Sequence, residues 1–194
     1  MIFFTSDTHF GSNHAIIRDN RPFKNFKKLD KYVIKIWNKQ ANKNDVIYHL
    51  GDFLNYNEKD TMSWKYSLRL VKKIKAKVIL IIGNNEERVV SEQFQNFEEF
   101  RQYCLNLGFK DIVICADLII NKTHFHLIHY PKDHKTNVIN LFGHTHRITG
   151  LWKSYGINVC CDLNYFKLYS ENDILKLIRQ KNKYWDTDEN ITDK

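Results

Sequence analysis

The chain has 194 residues, 43% of them apolar and 14% aromatic, enough for one buried core, which excludes a disordered or fibrous protein. Its longest aliphatic run, Val78 to Ile82, is far shorter than the roughly 20 residues of a membrane-spanning helix, so no membrane partner is expected. The formal charge of +8 is concentrated: nine Lys or Arg against Asp19 and Asp30 from Arg18 to Lys43, and six with no acid from Lys65 to Lys77. Such runs read either as solvated helix faces or as a field that gathers a phosphorylated or nucleic-acid substrate.

In chain order, Ile2 to Ser6, Val46 to Leu50 and Lys77 to Ile82 are short apolar runs that stop at Asp, Gly or Asn, the pattern of buried strands ending in functional loops. The start lacks a basic residue before its apolar stretch and is broken by Asp7, which argues against a secretory signal and for a cytoplasmic protein. Between the strands, Phe26, Leu29, Val33, Ile36 and Trp37, then Tyr66, Leu70 and Ile74, recur at helical steps. The alternation predicts parallel strands joined by crossover helices. A third helix carrying Phe94, Phe97, Phe100 or Cys104, and Leu107 on one face stops at Gly108. Short strands then follow one another: Ile112 to Ala116, Leu118 to Asn121, His124 to His129, Val138 to Phe142 and Ile157 to Cys161. They predict a second, partly antiparallel set with a hairpin turn at Asn121-Lys122. Ser170 and Asp173 in capping-box spacing open a last helix to about Lys181. The fold class is α/β, a single domain over 1–184 of two packed sheets with flanking helices, and a polar, flexible tail over 185–194. Cys104, Cys115, Cys160 and Cys161 have no CxxC spacing and read as reduced core thiols.

The chemistry-bearing residues follow strand ends, where α/β folds place ligands. Asp7 and His9 follow the first strand, Asp52 the second and Asn84 the third; His129 closes a later one, and His144 and His146 follow another. This set of carboxylate, amide and imidazole donors without thiolate suits divalent cations, with manganese first and iron, zinc, nickel or magnesium as alternatives. Asp52, from the central of the first three strands, is the candidate bridge between two ions. Gly51, Gly83 and Gly143 each precede a ligand, and are read as freeing the backbone for a sharp turn.

In order, these motifs resemble the calcineurin-like metallophosphoesterases, whose pattern is D-x-H, G-D, G-N-H-[DE], a lone H, then G-H-x-H. The likeness runs from Asp7 to His146, and is nearer still to small bacterial and phage phosphoesterases through Ser6 to Gly11, Arg21-Pro22-Phe23 and Tyr48 to Phe53. It implies a four-layer α/β/β/α sandwich of two mixed sheets. It also implies one ion on Asp7, His9, Asp52 and His146 and a second on Asp52, Asn84, His129 and His144. The chain departs from the pattern at Asn85, where the family commonly has a histidine, and at Ser12-Asn13, which intervene before His14.

The expected activity is dinuclear-metal-dependent hydrolysis of a phosphate ester, with a phosphodiester or nucleotide favoured over a monoester. Two other readings are a metal-dependent nuclease and a non-catalytic interaction scaffold. Beside the metal ligands Asp52 and Asn84, His14 or Arg88 is expected to assist the leaving group. Arg21, whose fork suits phosphate oxygens, and Asn85 are expected substrate contacts. His49 is assigned by strand alternation to the core or to support of the ligands, and His124 and His126 to a partly exposed face.

Overall fold

The computed structural model describes residues 1–56 and 63–188, with side chains through residue 180. Strands β1 (Ile2–Thr5), β2 (Val46–Leu50) and β3 (Lys77–Ile81) lie parallel, with Phe3 opposite Ile47 and Ile47 opposite Val78. Strand β4 (Asp111–Val113) continues this sheet in parallel, and β10 (Tyr169–Ser170) closes its other edge antiparallel to β1. Alternation along the strands sorts their side chains into two cores. Phe3, Ile47, Val78 and Leu80 face outer helices, whereas Phe4, Leu50 and Ile81 face the second sheet.

The outer layer begins with α1 (Asn13–Arg18), a short helix not anticipated from the sequence, whose Ser12 cap accepts the Ala15 N–H and which buries Ala15 and Ile16. Helix α2 (Phe26–Gln40) is capped by Asn25 and buries Leu29, Val33 and Trp37 on the sheet. Helix α3 (Ser63–Arg69) buries Trp64 and Leu68, then tightens into a 3-10 turn over Leu70–Lys73. That change of pitch breaks the expected stripe: Leu70 and Ile74 are buried, but Tyr66 is exposed.

The expected third helix is α5 (Phe97–Leu107), with Phe94 left outside it as the C-cap of α4 (Asn84–Gln93), a helix not anticipated from the sequence. Asn96 caps α5, and Gly108 ends it at φ +112°. Helix α4 opens within the motif itself, because the Glu86 carboxylate reaches back to the Gly83 N–H at 2.8 Å.

The second sheet holds β5 (Ala116–Ile120), β6 (Thr123–Leu127), β7 (Ile139–Phe142), β8 (Trp152–Lys153) and β9 (Gly156–Asn158), in the order β5-β6-β7-β9-β8. The β5–β6 hairpin turns through Asn121 and Lys122, both at positive φ, as the sequence predicts. Residues expected to begin the second set at Ile112 instead form β4 in the first sheet. Phe125, Leu127, Leu141, Ile157 and Val159 fill the space against Phe4, Leu50 and Ile81.

Helix α6 (Glu171–Asp188) opens with the expected reciprocal bonds of Ser170 and Asp173, and packs Ile174 and Leu175 into the inter-sheet core. The two mixed sheets and their helices form the expected α/β sandwich, with α6 contributing Ile174 and Leu175 to the core between the sheets. Of the tail expected over 185–194, residues 185–188 continue α6, and 189–194 lie outside the described residues. No helix among the described residues is long and apolar enough to cross a membrane. Cys104, Cys160 and Cys161 are buried free thiols as expected, but Cys115 is exposed, being placed between β4 and β5.

Candidate metal centre

Strands β1, β2 and β3 end at one sheet edge, and a parallel bridge between Ser6 and Cys160 ties that edge to the second sheet. The loops leaving these ends are cross-linked by backbone bonds, Asp7 N–H to Gly51 O and His9 N–H to Asp52 O, both 3.0 Å. Asp7, His9, Asp52, His144 and His146 all hold left-handed backbones, at φ +57°, +47°, +54°, +69° and +47°. Each costs roughly 1–2 kcal/mol for an L residue, and strain of this kind collects where side chains must be aimed at a functional point. The buried Glu86 carboxylate anchors the turn by accepting N–H bonds from Gly83, Asp52 and Leu54 at 2.8, 2.9 and 3.1 Å. Burial, reinforced by the nearby Asp52 charge, pushes Glu86 up to about 7.

Only one of the three motif glycines has the expected backbone role. Gly51 sits at φ +85°, whereas Gly83 is at −111° and Gly143 is outside the left-handed region. The last two are required for room. A Cβ on Gly83 would stand 2.6 Å from Asp52 Oδ1, and one on Gly143 would stand 2.6 Å from Ser6 Oγ and 2.7 Å from Asp7 Oδ2.

All seven expected ligands converge, in two groups that meet at Asp52. Asp52 Oδ2 faces His9 Nε2 at 3.6 Å, while Oδ1 faces His129 Nε2 at 3.8 Å. On the first side, His146 Nε2 lies 3.3 Å from His9 Nε2 and 3.8 Å from Asp7 Oδ1. On the other, Asn84 Oδ1 lies 3.1 Å from His129 Nε2 and 3.0 Å from His144 Nδ1. Ser6 Oγ and the His144 backbone N–H both donate to Asp7, fixing its orientation.

These contacts fit cations. His129 Nδ1 donates to the Leu50 carbonyl at 2.8 Å, which leaves Nε2 as the atom whose lone pair can turn toward the Asn84 oxygen, acceptor against acceptor. A cation between them resolves that conflict, and the backbone bond is the kind of outer support that orients a metal-binding imidazole. Burial, together with the charges of Arg21 and His146, holds His9 well below its usual value, so it too offers a lone pair. Burial, reinforced by Asp7 and opposed by His129 and Asn85, raises Asp52, so its anionic form calls for a compensating positive charge at this point. Burial opposes charge on His146, but Asp162, Asp7 and Asp19 outweigh it and raise its pKa.

A model of the calcineurin-like phosphoesterases matches residues 1–186. The chain belongs to the calcineurin-like phosphoesterase family. The uncharacterized protein MJ1445 of Methanocaldococcus jannaschii is 32% identical over 97 residues, and the chain spans about half the length of this curated relative, 52%, with half of its own, 50%. Among solved structures, a protein of unknown function from Aquifex aeolicus, AQ665, superposes with a TM-score of 0.62 at 24% identity, over 91% of this chain and 98% of that one. A novel archaeal phosphodiesterase superposes at 0.50 with 15% identity, over 89% and 94%. At these identities the two structures speak to the fold alone.

A cleft of about 490 Å³ opens over Asp52, Asn84, His144 and His146. Neither His14 nor Arg88 lines it. His14 is exposed on α1, and Arg88 is exposed on α4. Arg18 and Asp19, at the end of α1, and Arg147, after His146, line it instead. No motif marked them, because α1 is too short to show a period and the approach of its end to the centre is a tertiary fact.

Arg21 is also relocated. Its side chain is fully buried, donating to Asp162 at 3.0 and 2.8 Å and to the carbonyls of Thr8 and Asp7 at 2.7 Å each, so it braces the first ligand loop from behind. A phosphate contact would need donors facing the cleft. Asn85 is likewise a brace: its backbone N–H donates to Asp52 Oδ1 at 3.0 Å and its side-chain oxygen accepts the Tyr56 N–H at 3.0 Å.

His49 takes the inner position that alternation assigns it, 2.9 Å from Thr8 Oγ1, between the ligands Asp7 and His9. His126 departs from the exposed face expected of it. It is buried and paired with Asp117 at 2.8 Å, while His124 is exposed. His146, Cys160 and Asp162 also approach one another, but the Arg21 guanidinium already neutralises Asp162, and burial raises the Cys160 thiol far above its usual value. With its carboxylate already paired and its thiol kept protonated, that group has no free anionic donor to offer a cation.

Proposed function

We propose that the chain is a dinuclear-metal phosphoesterase acting on a phosphodiester or nucleotide, with manganese the preferred ion. The observation that carries this reading is Asp52, whose two oxygens face imidazoles of two separate ligand groups, His9 on one side and His129 on the other. Asp7, His9, Asp52 and His146 would hold one ion, and Asp52, Asn84, His129 and His144 the other. A bound pair of divalent cations supplies a water acidified toward neutrality and neutralises charge on the phosphoryl oxygens.

The protein's own part is placement. Ser6, the His144 N–H and Glu86 fix the two carboxylates through Asp7 and the Asp52 backbone, and the Leu50 carbonyl fixes the tautomer of His129. The exposed His144 and partly exposed Asn84 lie on the open side, where an ester can approach. Preference for a diester is supported by Asn85, which stands where the family commonly carries a histidine and whose side chain is engaged with Tyr56.

Nucleic acid is the second reading, favoured by the exposed Lys27, Lys28, Lys31, Lys35 and Lys39 along α2. Binding that falls steeply with salt would select it. The test of the main reading is hydrolysis of matched aryl mono- and diesters with manganese, magnesium, zinc or a chelator. Manganese-dependent cleavage, faster for the diester, is expected. Cleavage that survives the chelator would overturn the metal reading, and a faster monoester would overturn the diester preference.

A further inference from the structure

We propose that Arg18 is the residue that grips the substrate's phosphoryl oxygens, an inference that rests on the phosphoesterase reading. It lies at the end of α1, and the helix is anchored beneath by the buried Ala15 and Ile16 and stopped by Asp19, whose N–H returns to the Ala15 and Ile17 carbonyls. The Asp19 carboxylate, nearly buried, takes Arg18 Nε at 2.9 Å and Nη2 at 2.7 Å, which fixes the guanidinium plane. Nη2 also lies 3.1 Å from His146 Nε2, so the fork points at the candidate metal centre. Nη1 donates to no described residue, and the side chain is 39% exposed within the cleft that Asp52 and Asn84 line.

The other guanidinium groups are placed differently. Arg21 spends its donors on Asp162 and two carbonyls, Arg88 does not line the cleft, and Arg147 has its Nη2 3.9 Å from the Asp162 carboxylate. When His146 Nε2 is committed to a cation it no longer accepts, so the N–H of Arg18 that faces it is released beside the unpaired Nη1 edge. Two parallel donors on a fixed plane match two oxygens of a phosphate group. Lysine carries the same charge without that fork.

The test uses manganese-loaded wild type, Arg18→Gln and Arg18→Lys, with manganese content measured per chain and inorganic phosphate titrated by calorimetry. Manganese content is expected to be equal in all three. Losing charge-assisted bonds should weaken phosphate binding by about 10- to 100-fold in Arg18→Gln, with Arg18→Lys between it and wild type. Phosphate binding of wild-type strength in Arg18→Gln would overturn the assignment. Manganese lost together with phosphate would overturn it too, by making Arg18 a brace for His146, and so would loaded wild type that binds no phosphate. Ester hydrolysis by wild type is scored separately: phosphate held through Arg18 with no ester cleaved would remove the phosphoesterase reading and leave Arg18 as a phosphate-binding residue only.

Discussion

Replacing Arg21 by Met separates a brace from a substrate contact. The side chain is fully buried, and its guanidinium satisfies both oxygens of Asp162, itself fully buried, and the carbonyls of Asp7 and Thr8 at 2.7 to 3.0 Å. Met fills similar volume but takes the guanidinium donors from the Asp162 carboxylate and from both carbonyls, leaving weak thiol contacts from Cys160 and Cys161 to Asp162 and from Cys161 to the Asp7 carbonyl. Breaking a buried pair from one side costs about 3–5 kcal/mol, a large part of the roughly 5–15 kcal/mol that holds a domain together. Urea unfolding of metal-free protein should show that loss. Arg21→Met combined with Asp162→Leu should lose less than the sum of the single changes, because the orphaned carboxylate is gone. Stability within about 0.5 kcal/mol of wild type, with weakened substrate binding, would refute the brace and return Arg21 to the substrate.

Gly83→Ala should abolish metal uptake while leaving the far-ultraviolet circular dichroism unchanged, since the new Cβ would meet Asp52 N and Oδ1 at 2.6 Å and His129 Cε1 at 2.9 Å. Normal metal content would show that the loop yields. Asp30 is pushed from 3.8 up to about 6 by burial, against the opposing bonds from the Gly11 N–H and Tyr66 hydroxyl. The folded state thus holds this proton more tightly than the unfolded chain. Its contribution to stability is full below about pH 4 and lost as pH climbs through about 6. Relative to Asp30→Asn, which cannot ionise, wild type should lose up to about 3 kcal/mol across that window in urea titrations. A flat difference would mean that the carboxylate is better solvated than its burial implies.

Much of the site was legible because its ligands are local signals: each of Asp7, Asp52, Asn84 and His144 stands at or just past the end of an apolar run, and the structure brings them together. The backbone that aims them was not legible. No spacing reveals that Asp7, His9, Asp52, His144 and His146 share left-handed φ, nor that Gly83 and Gly143 are needed for space rather than for turning. Arg21 and Asn85 misled for a shared reason, since a polar residue beside a motif can face the cleft or the loop behind it, and only the packed partners Asp162 and Tyr56 decide.

Among the elements, β1, β2, β3 and α2 could be read from periodicity. Helix α4 could not, because its first turn is written in the Asn and Glu of the motif, and β4 is too short to declare its sheet. Arg18 and Asp19 reach the cleft through the placement of a six-residue helix, which no periodic pattern announces.

The central claim is that one carboxylate joins two cation sites, and metal stoichiometry reads it directly. Manganese bound per chain, measured by elemental analysis after gel filtration of wild type and Asp52→Ala, should be two for wild type. In the variant it should fall to one or fewer, with hydrolysis lost, because Asp52 Oδ1 and Oδ2 serve opposite ligand groups. A single ion in the wild type, or an Asp52→Ala protein that retains both ions and its activity, would contradict the account.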